Sequence, residues 1–175
     1  MFIPIKRDLI IEKVDLLIAE LAELRVNGPH FRIVHRFCSQ AAICAPGEEI
    51  FAIYFMHRGR EYLLRFPLAL RIFFDYLARH SRLPQSAAQI EAGIRADPFY
   101  TYHAANVPGH EGFTRRIPRS FVRVYVERSR SALENAFILG GLLMSPHNVL
   151  VSEATVMNEK GYRLKASVEW THVDV

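Results

Sequence analysis

Cysteine is scarce in this chain: only Cys38 and Cys44 occur, six residues apart. No paired C-x-x-C and no nearby H-x-x-x-H completes a four-ligand zinc site around them, so buried free thiols in a reducing compartment are expected. Long apolar runs are missing too. No segment approaches the roughly 20 apolar residues that cross a bilayer, and the opening MFIPIKRD is interrupted by Lys6, Arg7, Asp8, Glu12, Lys13 and Asp15, which breaks any signal-peptide core. The expected location is cytoplasmic, with no membrane contact. Ser145 and Ser152 lack the G-x-S-x-G setting of a nucleophile elbow, and neither a glycine-rich phosphate loop nor H-E-x-x-H appears. No repeat or low-complexity tract is present.

What is there suits one substantial core, since 175 residues are short for two independent domains. Half the residues are hydrophobic and 23% are charged, which places the chain among globular proteins rather than disordered ones. The net charge of +4 says little by itself, because many basic proteins bind no polyanion. Its distribution says more: Arg115, Arg116, Arg119, Arg123, Arg128 and Arg130 fall in one 16-residue stretch, so the positive field is local.

Residues 1–28 read as a leading amphipathic helix closed by Asn27-Gly28, a helix stop signal. Ile10, Val14, Leu17, Leu21 and Leu24 follow alternating spacings of four and three and form one seam, widened by Ile11 and Ile18. That seam requires a partner, either the protein's own core or the same helix of a second subunit; the second makes it a dimerisation element. Residues 29–175 read as a second unit. HFRIVHRFC, AAIC, EIFAIYFMH and EYLLRF are short β-rich runs separated by turn residues, an antiparallel meander. FPLALRIFFDYLARHSR changes period to a helix, with Phe66, Leu70, Phe73 and Leu77 on one buried face. LPQSAAQIEAGI reads as another, with Ser86 as N-cap and Ile90 and Ile94 inward. A loop of about 20 residues, ADPFYTYHAANVPGHEGFTR, follows, and loops that long are more often functional than filler. A third helix is expected from about Ser120 to Asn135, then a break at ILGGLLMSPHN, and finally VLVSEATVM and YRLKASVEWTHV as one long hairpin around NEKG. The fold class is α+β, in the order of a winged helix-turn-helix: a leading helix, a meander, three helices and a hairpin wing.

On a helical wheel, Val122, Val126, Ser129 and Leu133 share the face that should bury, while Arg116, Arg119, Arg123, Glu127 and Arg130 fall opposite. Arginine presents a planar fork that grips phosphate and binds a guanine edge bidentately. Acids that would balance these charges are sparse, which favours an anionic surface over solvent as the neighbour of that face.

These residues resemble a family. Val122, Val124, Tyr125, Val126, Arg128, Arg130 and Leu133 are similar to the recognition-helix pattern V-D-V-H-I-S-R-L-R-K-K-L of OmpR/PhoB-type DNA-binding domains. TVMNEKGYRL resembles the wing pattern T-V-R-G-x-G-Y-R-L through Thr155, Val156, Gly161, Tyr162, Arg163 and Leu164, and FPLALRIFFDYL resembles the first-helix motif. The likeness covers roughly residues 30 to 170. Arg123 stands where the family has an acidic or amide residue, Ser129 replaces a leucine, and Met157 and Asn158 replace the wing's first arginine. About 30 residues precede the matching part, too few for a receiver domain, so phosphorelay control is not expected.

The resemblance implies a sequence-specific double-stranded DNA-binding transcriptional regulator without cofactor or catalytic activity; the seam of the leading helix makes a homodimer the expected state, with RNA polymerase or another regulator as a further partner. Its recognition helix, about 119–135, would enter the major groove with Arg119, Ser120 and Arg123 near base edges. Arg115, Arg116, Arg128 and Arg130 would hold phosphates, and Lys160 and Arg163 of a wing spanning 149–170 would meet the flanking groove. Two alternatives stay open. A winged-helix fold also serves as a protein-contact module. His103, His110 and Glu111, in one loop near Asp97, hold ligand chemistry for a metal-dependent hydrolase, though no helix gives them a metal-site spacing.

Overall fold

A computed structural model describes residues 7–37, 51–96 and 119–174. Among these the chain is mixed α+β, with four α-helices and two small sheets. The elements run α1 (Arg7–Asn27), β1 (His30–Phe37), β2 (Phe51–His57), β3 (Arg60–Leu63), α2 (Leu68–Arg79), β4 (Gln85–Ser86), α3 (Ala87–Ala96) and α4 (Arg119–Gly140). A 3-10 turn at Pro146–Asn148 then leads to β5 (Leu150–Ala154), β6 (Lys160–Leu164) and β7 (Ser167–Asp174). The segment AAIC and most of the long loop lie outside the described residues.

The expected meander is present as β1, β2 and β3, antiparallel neighbours in a four-stranded sheet of order β3-β2-β1-β7. Alternation decides its faces. Phe31, Ile33, Phe51, Ile53 and Phe55 point into the core, whereas Arg32 and Tyr54, paired across the strands, face outward, and Arg32 forms an ion pair with Glu61 at 2.6 Å. The fourth strand corrects the long-hairpin expectation for the C-terminus. The hairpin comprises only β5 and β6; beyond Leu164 the chain leaves it, and β7 runs parallel to β1, from Ser167 opposite His30 to Asp174 opposite Phe37. The hairpin expected over 149–170 therefore ends at Leu164. The second sheet has the order β4-β6-β5, so a two-residue strand between α2 and α3 borders the hairpin.

Helix α2 is the central element. Phe66, Leu70, Phe73 and Leu77 are buried as expected, and so are Arg71, Ile72, Phe74, Asp75, Tyr76 and Ala78, so this helix has no solvated face over two turns. A polar group at such a place must be paired. Arg71 donates to the Phe51 carbonyl, and Asp75 accepts from Arg79 one turn on and from Trp170 Nε1 at 2.9 Å, with His35 Nε2 at 3.5 Å. The Asp75 carboxylate thus joins α2 to β1 and β7. Helix α3 begins with a capping box: Ser86 Oγ accepts from the Gln89 amide at 3.3 Å, and Gln89 Oε1 accepts from the Ser86 amide at 2.8 Å. Ile90 and Ile94 are buried beneath it, as the spacing requires.

Helix α4 is longer than the sequence suggests, continuing through Ile138, Leu139 and Gly140 where a break was expected. Gly141 ends it at φ +71°, with Leu142 N–H bonded to the Phe137 carbonyl and Gly141 N–H to the Ile138 carbonyl, the paired bonds of a Schellman stop. No helix of the described residues is long and apolar enough to cross a membrane.

Among the described residues, the contacts that helix α1 makes with the rest of the chain lie near its C-terminal end. Leu24 packs on the core, and Glu20 receives Arg58 at 2.9 Å and lies 3.2 Å from His57 Nε2. The hydrogen bond from Arg58 holds the Glu20 carboxyl below the usual range, and burial holds His57 toward its neutral form. Gly28, at φ +69°, then turns the chain into β1; a β-carbon there would lie 2.4 Å from the Lys165 carbonyl oxygen, so both conformation and space demand glycine.

Burial pushes the Asp75 pKa up, but the hydrogen bond and charge of His35, the Arg79 charge and the Trp170 N–H together outweigh it and hold the carboxyl below its ordinary value. A folded-state pKa below the unfolded one contributes stability that is present above the unfolded value and lost as pH falls through the folded one. Denaturant melts followed by the single tryptophan, Trp170, should therefore show a loss of stability below about pH 4. In Asp75→Ala that acid-dependent component should disappear, with stability at neutral pH lower by about 3 to 5 kcal/mol. An unchanged acid profile in the variant would show that Asp75 carries no such load.

Candidate nucleic-acid interface

The site is built on α4 and the β5–β6 hairpin. Val122, Val126, Ser129 and Leu133 are buried, as the wheel requires, and Ala136 and Phe137 extend that face toward the C-terminus. Phe137 stacks edge-on to Phe55 at 5.0 Å, and Tyr125 sits edge-on to Phe73 at 5.9 Å, so the helix is seated on both the sheet and α2. The opposite face carries Arg123, Val124, Glu127, Arg128 and Ser131 in solvent, together with Phe121. Arg123 and Arg128 have no ion-pair partner among the described residues.

Arg130 requires a correction. The wheel placed it on the outer face as a phosphate contact, but its side chain turns inward and is 8% exposed. Nε and Nη2 both donate to the Leu150 carbonyl, at 3.0 and 2.8 Å, and Nη2 also reaches Ser152 Oγ at 3.1 Å. The division into two opposite faces misplaced it, since it lies only about 60° from Leu133 around the helix, and the first residue of β5 offers a carbonyl oxygen there, which favours the inward direction. Nη1 pairs with Glu127 at 3.0 Å. The one acid on that face of the wheel, Glu127, is therefore committed to Arg130.

The hairpin is more neutral than the sequence suggests. Arg163 was expected to approach DNA, yet it pairs with Glu153 at 2.9 Å across the β5–β6 ladder, and Lys165 reaches the same carboxylate at 2.6 Å. These two cations hold the Glu153 carboxyl below its usual range, the Lys165 hydrogen bond contributing most. Lys160 stays exposed, its ammonium 5.7 Å from the Tyr162 ring centre. The hairpin turn is closed by Asn158 at φ +58°, and its tip presents Val156 and Met157 rather than a cation.

The remaining expected contacts divide by position. Arg119 and Ser120 open α4, but their side chains lie outside the described set, as do Arg115 and Arg116 altogether. Asp97, His103, His110 and Glu111 also fall outside it; among the described residues, no group of three or more His, Cys, Asp or Glu could hold a metal ion. Sequence reasoning missed the exposure of Phe121 and Val124. The signal was present, since in V-R-V-Y-V only Val122 and Val126 share a helical face and Val124 must point away from both.

Replacing Arg130 should act on the fold. Arg130→Ala removes charge-assisted bonds to a buried carbonyl and should cost about 2 to 3 kcal/mol of stability. Arg130→Lys should recover little of it, because an ammonium lacks the fork that reaches Leu150 and Ser152 together. Stability unchanged in both variants, by denaturant unfolding, would return Arg130 to the outer surface. Among protein-family models, curated proteins and solved structures, none matches this chain.

Proposed function

We propose that residues 68–164 form a winged helix-turn-helix and that the chain binds double-stranded DNA as a sequence-specific transcriptional regulator, with α4 in the major groove. Two features support the fold reading. The elements follow the order α2, β4, α3, α4, β5, β6, and β4 borders the hairpin so that the three strands lie in the order β4-β6-β5. A hairpin edge thereby stands next to the long helix, and Arg130 ties the two together. The observation that carries the function is the pair Arg123 and Arg128, exposed and unneutralised among the described residues on a helix whose other side is locked into the core.

Arg123, nearer the helix start, is placed for a base edge, and Arg128 for a phosphate. Lys160 on the hairpin supplies a flanking phosphate contact. Uncovered apolar residues on α1 support self-association, so the regulator is read as a homodimer. A second reading, a protein-contact surface on the same face, is favoured by the exposure of Phe121 and Val124 there and of Ile138 and Leu139 at the helix end.

Selection on randomised duplexes followed by salt titration separates the two. DNA binding predicts an enriched motif and affinity that falls steeply with salt. Arg123→Ala should cost about 1 to 3 kcal/mol and relax preference at one position, whereas Arg128→Ala should weaken all duplexes alike and reduce the salt slope by about one. No enrichment, with wild-type and both variants equally weak, would leave the protein-contact reading standing.

A further inference from the structure

We propose that α1 pairs with α1 of a second copy of this chain in an antiparallel arrangement, with Ile10 opposite Leu21 of the partner subunit and Val14 opposite Leu17 of the partner subunit. This deepens the homodimer proposed above and does not depend on DNA binding.

Among the described residues, the body of the chain covers one border of the helix, through Glu20 and Leu24. Ile10, Ile11, Val14, Leu17, Ile18 and Leu21 keep between 45 and 59% of their surface exposed, and all six lie in one arc of the wheel. Six large aliphatic side chains in one strip exceed the scattered apolar exposure of a monomer's surface.

Their order identifies the occupant and its direction. With Val14 and Leu21 at heptad position a and Ile10, Leu17 and Leu24 at d, Ile11 and Ile18 fall at e, and Lys13 and Glu20 at g. In a parallel pair e faces g, which sets Ile18 against Lys13 of the partner subunit; Glu20 would meet Arg25 of the partner subunit, but the aliphatic strip is broken. In an antiparallel pair e faces e and g faces g. Ile11 then meets Ile18 of the partner subunit, twice by the two-fold symmetry, while Glu20 stays on Arg58 and His57 of its own subunit. Only this direction covers all six aliphatic side chains and sets no lysine against the strip.

The test places a nitroxide at Arg25→Cys in a Cys38→Ser, Cys44→Ser background of the full chain, with sedimentation to report mass and pulsed dipolar spectroscopy to report distance. Antiparallel pairing predicts a dimer with labels separated by on the order of 30 Å, from the 1.5 Å rise per residue. A dimer with labels within about 15 Å would be parallel and would overturn the proposed direction. A monomer without dipolar coupling would overturn the pairing itself. Ile18→Asp should abolish the dimer while leaving the unfolding midpoint of the body unchanged, because that side chain supports no part of its core; a dimer that survives this change counts against the seam.

Discussion

The geometry of the candidate interface depends on one buried cation. Arg130 reaches from the flank of α4 to the Leu150 carbonyl and Ser152 hydroxyl, fixing where the hairpin begins relative to the helix. A guanidinium so placed must find acceptors, because burying its charge without them costs several kcal/mol. Its partners come from the strand that follows the helix, so the same requirement that keeps it paired also sets the angle between the two elements. Arg123 and Arg128, on the same helix, are free to face outward because this residue and the Val122, Val126, Leu133 and Phe137 face hold the other side.

A second polar knot performs the corresponding task for the rest of the fold. Asp75, on a helix buried all round, gathers Arg79 from its own next turn, His35 from β1 and Trp170 from β7. The parallel strand β7 is thereby anchored to α2 as well as to β1. Its removal from the hairpin leaves β5 and β6 as a two-stranded projection bordered only by the short β4. Around these knots the apolar core adds its own stabilisation, each fully buried phenylalanine, among them Phe31, Phe55 and Phe73, contributing roughly 1.5 to 3 kcal/mol.

Local signals in the sequence were legible where one residue type had one physical use. Ser86 with Gln89 at the start of α3, Asn27-Gly28 at the end of α1, and the spacing of Ile90 and Ile94 all correspond to observed caps and buried positions. The fate of side chains at the border of a helical face was not legible, because a wheel gives an angle and no partner; Arg130 turned inward because Leu150 offered an acceptor. Strand alternation in YRLKASVEWTHV identified β-structure but not which sheet would receive it, since period two is the same in a hairpin and in a parallel edge. Likewise, the charge of Arg163 reads as available in the sequence, but Glu153 pairs with it and with Lys165. For the leading helix, the spacing identified the helix itself, Arg7–Asn27, and no pattern encodes which of its two candidate partners covers the exposed aliphatic residues.

The proposed DNA-binding reading puts a duplex against α4 and the hairpin. Hydrogen exchange of the full chain, with and without a selected duplex, tests it most directly. Slower exchange concentrated in residues 121–131 and around Lys160, with α1 unaffected, is the outcome that agrees with a groove-bound helix and a flanking wing. Protection confined to α1 or to the β1–β7 edge, or an identical pattern with and without the duplex, would contradict it.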